Sequence, residues 1–121
     1  MSAIFECQNT TVWEPGLVTG HMFYEQLKSL ERLAGCPCGL IPTMDDTYEI
    51  QQEVLSDFLQ SALSQVSNTN SQPMLRLAVG PLEIGIALYN RLTGTFPTVL
   101  SRFEYIIQGA SDFNVPLESS V

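Results

Sequence analysis

The amino-acid sequence predicts a small α+β domain that is mostly helical. The chain has 121 residues, which is enough for one domain with its own core. Two short runs near its start are rich in β-branched and aromatic residues, and the longer segments after them carry apolar residues at helical spacing. We therefore expect a single domain over residues 1–121, in which a two-stranded hairpin packs on about four helices.

The first predicted element is a β-hairpin over residues 3–13. Gln8 and Asn9 separate its two apolar runs and suit a tight turn. An isolated hairpin is only marginally stable in water, so this one must lie on the rest of the domain. The side chains expected to be buried beneath it are Phe5, Val12 and Trp13.

Four helices are predicted from apolar residues that recur every three or four positions. They cover residues 18–34, 50–67, 73–92 and 97–108, and a tail without periodicity follows over 109–121. Thr19 suits the N-cap of the first helix, and Gly35 suits its C-terminal end. Segment 73–92 is apolar on all sides, which predicts a central, buried helix. Pro81 predicts a kink or a short break in that helix, and Gly94 is expected to end it.

The charge of the chain narrows its range of partners. Thirteen Asp and Glu against five Lys and Arg give a formal net charge of -8 and a pI near 4.3. An acidic chain without a basic patch is poorly suited to bind nucleic acid. There is no secretory signal pattern and no apolar run of the ~20 residues that a membrane span needs. We expect a cytoplasmic protein without membrane contact, whose partner is another protein with a basic surface.

The cysteines and the histidine predict no metal or cofactor. A closed zinc site needs four ligands, and the chain has only three cysteines and one histidine. One possibility is a metal site made by His21, Cys36, Cys38 and a carboxylate. The other is a tight turn at the end of the first helix, in which the cysteines pack as small apolar groups. The sequence favours the tight turn because glycine and proline surround the cysteines.

The most chemically capable stretch is the acidic run after those cysteines. Asp45, Asp46 and Glu49 could hold a hard cation or carry out acid/base chemistry, but no calcium-loop pattern surrounds them. Asp46, followed three residues later by Glu49, is typical of a helix N-terminus, and the sequence favours this capping role. The alternative is that the carboxylates form the acidic edge of an interaction surface.

Several of these residues are shared with a known family. The chain resembles a family of short, mainly actinobacterial proteins that is known only as a domain of unknown function. The resemblance covers about residues 3–94. It rests on three groups of residues: Phe5, Thr11, Trp13 and Pro15; Gly39, Leu40, Met44, Asp46 and Ile50; and Leu75, Arg76 and Gly80. The chain departs from the family where Gln51-Gln52 replace an expected Asp-Pro, and again after Gly94. The resemblance implies a shared fold and no particular activity.

Three functions are compatible with these observations, and the first is a non-enzymatic acidic binding protein. Such a protein, similar to an inhibitor, an immunity protein or an anti-defence protein, would cover a surface of its partner. No catalytic motif favours an enzyme, since no nucleophile stands at a recognisable spacing from the only histidine. The residues expected to contact the partner are Trp13, Asp45, Asp46, Glu49 and Glu53.

The other two functions are a small-molecule binder and a self-associating module. The first would be an accessory protein or enzyme with a pocket between the hairpin and the first and third helices. That pocket would be lined by Trp13, His21, Tyr24, Cys38 and Met44. A homo-oligomer is the third hypothesis, formed by pairing of apolar helices or of hairpin edges.

Overall fold

A computed structural model of the chain describes residues 1–94. The predicted helix over 97–108 and the tail over 109–121 lie outside these residues. The elements, in chain order, are β1 (Ile4–Cys7), β2 (Thr10–Trp13), α1 (Leu17–Ser29), α2 (Glu31–Ala34), β3 (Leu40–Pro42), β4 (Thr47–Ile50), α3 (Gln52–Asn68) and α4 (Gln72–Thr93). The prediction of a mostly helical α+β fold is confirmed.

The predicted N-terminal hairpin forms the first half of a four-stranded sheet with strand order β2-β1-β4-β3. The turn of this hairpin holds Gln8 and Asn9 at φ values of 51° and 65°, the left-handed region that a two-residue hairpin turn requires. β1 pairs with β4 in parallel, while the outer pairs are antiparallel. The hairpin is therefore stabilised by a strand more than thirty residues further along the chain.

The second hairpin, β3 and β4, was not predicted. Residues 40–50 were expected to form a bend and the start of a helix, and this expectation was wrong. The side chains of Tyr48 and Ile50 are buried, whereas Glu49 between them is partly exposed, which is the alternation of a half-buried strand. Pro42 is compatible with a strand here because β3 lies at the edge of the sheet, where a missing N–H breaks no ladder.

Aromatic side chains fill the core between the inner face of the sheet and α1. The Phe5 ring stacks on Trp13 and Tyr48, with ring centroids 5.2 and 4.8 Å apart, and meets Phe23 edge-on. Gly20 lets α1 approach this cluster, because a Cβ there would lie 2.4 Å from the Cβ of Ala3. The expected burial of the hairpin's apolar side chains is confirmed.

The first predicted helix is divided in two and begins one residue early. α1 ends at Ser29, and the short α2 follows Leu30. Gly16, and not Thr19, is the N-cap residue, so the predicted cap was wrong. Gly35 ends α2 at φ 77°, as predicted.

The two long helices begin and end close to their predicted positions, but α4 is less buried than predicted. α3 begins at Gln52 without a side-chain cap. The Ser71 hydroxyl accepts a hydrogen bond from the backbone N–H of Met74 at the start of α4, and Gly94 ends that helix at φ 75°. The helix continues past Pro81 without a break. Five residues of its first half are exposed against one in its second half, so the prediction of a wholly buried helix was wrong for the first half, where Leu77 is 70% exposed. No helix in residues 1–94 is long and apolar enough to cross a membrane.

Candidate functional site

The acidic turn, residues 43–46, joins β3 to β4 and holds two aspartates in an unusual conformation. Asp45 and Asp46 have φ values of 62° and 60°, the left-handed region that favours glycine and asparagine. Such a conformation costs on the order of 1 kcal/mol per residue. The turn is closed by the backbone N–H of Thr43, which donates to the carbonyl of Thr47 at 2.8 Å, and the Thr43 hydroxyl donates to the same oxygen at 3.0 Å.

The predicted helix-capping role of Asp46 and Glu49 was wrong. Both residues precede α3, and Glu49 lies in the middle of β4. The residue at the N-cap position of α3 is Gln51, which makes no side-chain capping bond. The carboxylates belong instead to the turn and to the sheet.

His21 ties the acidic turn to α1. Its Nε2 lies 3.0 Å from Oδ1 of Asp46, and its Nδ1 contacts the hydroxyl of Tyr48. A neutral imidazole with its proton on Nε2 satisfies both contacts, since Nε2–H donates to the carboxylate and Nδ1 accepts from the hydroxyl. The backbone N–H of Ile4 also donates to the carbonyl of Asp46 at 3.0 Å. Asp46 is thus held by its main chain and by its side chain.

Tyr48 is the buried end of this chain of hydrogen bonds. Its ring lies 4.7 Å from that of Tyr24 between centroids, within the aromatic core. Burial raises the pKa of Tyr48, and so do Tyr24 and the charges of Asp46 and Glu25. A raised pKa keeps the hydroxyl protonated, which is the opposite of what an activated nucleophile or base needs. The arrangement of Tyr48, His21 and Asp46 is therefore suited to position the turn.

Asp45 differs from its neighbour because it is exposed and its carboxylate makes no hydrogen bond or ion pair within residues 1–94. Met44, beside it, is 81% exposed. The tip of the turn therefore presents a free carboxylate and an apolar side chain on a backbone that is held by the contacts of Asp46 with His21 and Ile4.

The outer face of the sheet continues the acidic character of the turn. Glu6 on β1 and Glu49 on β4 are register partners, so two carboxylates stand side by side on neighbouring strands. Like charges placed in this way destabilise a sheet. Glu49 is partly offset by the backbone N–H of Gln8, which donates to its Oε1 at 3.4 Å. We call Glu6, Met44, Asp45, Asp46 and Glu49 together the acidic surface.

The described cations lie away from this surface. Lys28 pairs with Glu31 at 3.5 Å, and Arg91 donates to the carbonyl of Val12 at 3.1 Å. Arg32 and Arg76 line a groove between helices. In the described part of the chain, no Lys or Arg forms an ion pair with a carboxylate of the acidic surface.

Two residues of the predicted partner-binding set lie elsewhere. Trp13 was expected to contact the partner, but it is only 3% exposed and stacks on Phe5, so it belongs to the core. Glu53 is exposed in the first turn of α3 and not on the sheet. The structure therefore places Asp45 and Asp46 in one turn and Glu49 in the following strand β4, and it buries Trp13.

The alternative pocket does not form from the predicted residues. His21 and Tyr24 do meet, both against Tyr48. Cys38 is 1% exposed, and Met44 is 81% exposed, so one is sealed in the core and the other projects into solvent. Burial also raises the pKa of the Cys38 thiol. These residues, with Trp13 in the core, do not line a common cavity.

The donor groups that a metal would need do not gather within residues 1–94. No group of three or more His, Cys, Asp or Glu side chains there is placed to hold an ion. All three cysteines are free thiols, and Cys36 and Cys38 do not form a disulfide.

Comparison with known families gives the chain's relationship. The model of DUF6086, described as a family of unknown function, matches residues 1–114. The chain belongs to the DUF6086 family. The expected resemblance to a family of unknown function is therefore confirmed, but DUF6086 extends past Gly94, so the expected departure after that residue was wrong. No curated protein and no solved structure matches the chain.

The link between His21, Asp46 and Tyr48 was not predicted from the sequence. The sequence predicts His21 as a pocket residue and Asp46 as a helix cap or a partner contact, and it predicts no role for Tyr48. The signal in the sequence that could have revealed this link is the alternation of polar and apolar residues over 47–50, which predicts a strand with Tyr48 on its buried face.

Proposed function

We propose that this protein is a non-enzymatic binding protein that covers a basic surface of another protein with its acidic surface. An inhibitor, an immunity protein or an anti-defence protein acts in this way. The observation that carries the proposal is the acidic turn, where two successive aspartates stand at the end of the β3–β4 hairpin and Asp46 is held in place by His21.

Preorganisation supports the same conclusion. Contacts with His21 and with the backbone of Ile4 fix Asp46 before any partner arrives, so little conformational entropy is lost on binding. Met44 at the tip adds an exposed, flexible apolar side chain, a type suited to adaptable contact surfaces.

Electrostatics supports a basic partner. The formal net charge of -8 would speed the approach of such a partner at low ionic strength, and the acidic surface would orient it at contact. Charges at the rim of an interface act mostly on the association rate, so binding should weaken as salt is raised.

The cellular setting is part of the proposal. Three free cysteines are compatible with a reducing compartment, which supports action in the cytoplasm. The actinobacterial origin, the contribution of Glu53 and self-association stay predictions.

The test compares charge reversals at two exposed aspartates. The tagged full-length chain would be used to capture its partner from a lysate of its native host, and the partner would be identified by mass spectrometry. Asp45→Lys should weaken binding of that partner by about tenfold, since it reverses a charge in the contact. Asp57→Lys, on the exposed face of α3, changes the net charge equally and should have little effect.

Glu49→Lys provides a second variant on the acidic surface and should behave like Asp45→Lys. Urea unfolding of all three variants would verify that they are folded. Equal binding by Asp45→Lys and the native chain, or an equal loss of partner binding in Asp57→Lys, would refute the proposal that the acidic surface contacts the partner.

A further inference from the structure

A second surface of the molecule has the opposite character to the acidic surface. A groove of about 830 Å³ lies between α1 and α2 on one side and the first half of α4 on the other. Its apolar lining includes Leu30, Leu33, Leu77 and Pro81, and two arginines, Arg32 and Arg76, stand within it. We call these six residues the cationic groove.

The first half of α4 is less buried than its apolar sequence predicts. Residues 74–81 are almost wholly apolar, and such a helix segment is normally covered by other elements. Here Leu77 is 70% exposed, and a Cβ added at Gly80 would meet no atom within 4 Å. A second cavity of about 490 Å³ flanks the other side of the same segment and shares Arg76 with the groove. The segment is therefore open on two sides.

The arginines of the groove are exposed and lack acidic partners within residues 1–94. The ion pair of a Lys or Arg found there is Lys28–Glu31, which includes neither Arg32 nor Arg76. Among residues 1–94, no Asp or Glu lines the groove. The groove is therefore a positively charged region on a chain whose formal net charge is -8.

We propose that the cationic groove binds an acidic amphipathic helix of a partner protein. The apolar face of that helix would cover Leu33 and Leu77, and its carboxylates would pair with Arg32 and Arg76. The wall formed by residues 74–81 of α4 spans about 11 Å, which is two turns, and the facing wall is formed by the end of α1 and the start of α2. They therefore fit about two turns of a third helix lying between them.

Charge distinguishes this occupant from a second copy of the chain. A copy packed across a two-fold axis would bring its own Arg32 and Arg76 against the same pair, and like charges repel. An acidic helix pairs with both arginines instead. The long-range repulsion from the net charge is screened beyond about 8 Å at physiological ionic strength.

The inference is independent of the proposed function. It uses a different surface and partner chemistry of opposite sign, so either proposal can fail while the other stands.

The first experiment measures binding of synthetic helical peptides to the full-length chain by fluorescence anisotropy. The main probe is a fluorescein-labelled peptide with leucines at i, i+3, i+4 and i+7 and glutamates on both flanks of that stripe. One control replaces the glutamates by lysines, and another keeps the glutamates and replaces the leucines by serines. The first peptide should bind, and both controls should bind at least about tenfold more weakly.

The second experiment uses variants of the groove. Arg32→Gln and Arg76→Gln should each weaken binding of the leucine–glutamate peptide by about fivefold, the effect of losing one exposed ion pair. Leu77→Ser should weaken it at least as much. Because Val18 is also 70% exposed but lies outside the groove, Val18→Ser is the matched control and should bind the peptide unchanged.

Several outcomes would overturn the proposal. They are failure of the leucine–glutamate peptide to bind, equal binding of the lysine peptide, and unchanged binding by Arg76→Gln and Leu77→Ser. If dodecanoate binds and neither charged peptide does, the groove holds a small amphiphile and not a helix. If light scattering shows self-association that Leu77→Ser abolishes, a second copy is the occupant.

Discussion

Removal of the His21 side chain tests whether contacts with α1 hold the acidic turn in place. His21→Ala would remove the acceptor of the Tyr48 hydroxyl and the donor to Asp46. The lost bond to the buried tyrosine should cost about 0.5–1.5 kcal/mol. The contact with Asp46 adds about 0.2–1 kcal/mol, since the side chains of His21 and Asp46 are 36% and 41% exposed. We therefore expect the free energy of unfolding to fall by about 1–2 kcal/mol.

Urea unfolding monitored by tryptophan fluorescence would measure this change. With an m value of about 1–2 kcal/mol/M, the midpoint should fall by about 1 M while m stays constant. Met22→Ala is the matched control, because Met22 neighbours His21 on α1 and is 53% exposed. A double-mutant cycle with Asp46→Ala should give a coupling energy of about 0.5 kcal/mol or more. If His21→Ala and Met22→Ala unfold at the same urea concentration, His21 does not hold the turn.

Two further predictions concern backbone and charge elsewhere in the fold. Gly39→Ala should destabilise the protein by more than about 3 kcal/mol, whereas Gly35→Ala should cost only about 1 kcal/mol. Both glycines have positive φ, but only at Gly39 would a Cβ meet the backbone of α3, at 2.6 Å; equal urea midpoints would contradict this. Partial burial alone would raise the pKa of Glu31, but a hydrogen bond from the Cys38 N–H and the charge of Lys28 outweigh it and lower the pKa below its ordinary 4.5. The stabilisation from Glu31 should therefore be complete above that value and be lost as the pH falls through the lower pKa of the folded state. Urea midpoints from about pH 6 to about pH 3 should fall more steeply for the native chain than for Glu31→Gln, and parallel curves would refute the assignment.

The sequence predicted elements whose signals are local. The β1–β2 hairpin followed from two apolar runs around Gln8 and Asn9, and the C-terminal ends of α2 and α4 followed from Gly35 and Gly94. Each of these signals acts within a few residues of the structure that it determines.

The missed elements depend on contacts between distant parts of the chain. The spacing of Asp46 and Glu49 is that of a capping box, and only the parallel pairing of β4 with β1 makes the segment a strand. The link from His21 to Asp46 spans 25 positions and could not be read from spacing. Burial of Trp13 was predicted correctly, but its predicted contact with a partner was not, since an aromatic side chain in a hairpin suits both a core and an interface.

The exposed first half of α4 shows the limit of hydropathy patterns. The all-round apolar character of Leu77 and its neighbours predicted burial on every side, but the structure buries Ala78 and leaves Leu77 70% exposed.

The most direct test of the central claim is the dissociation constant of Asp45→Asn for the partner captured by the native chain. Asparagine tolerates the left-handed conformation at least as well as aspartate, so this variant should match or exceed the native urea midpoint. The proposed function predicts that it nevertheless binds its partner about fivefold more weakly, while Asp57→Asn binds like the native chain. Unchanged affinity in Asp45→Asn, with unchanged stability, would contradict the claim that the acidic turn is kept for binding.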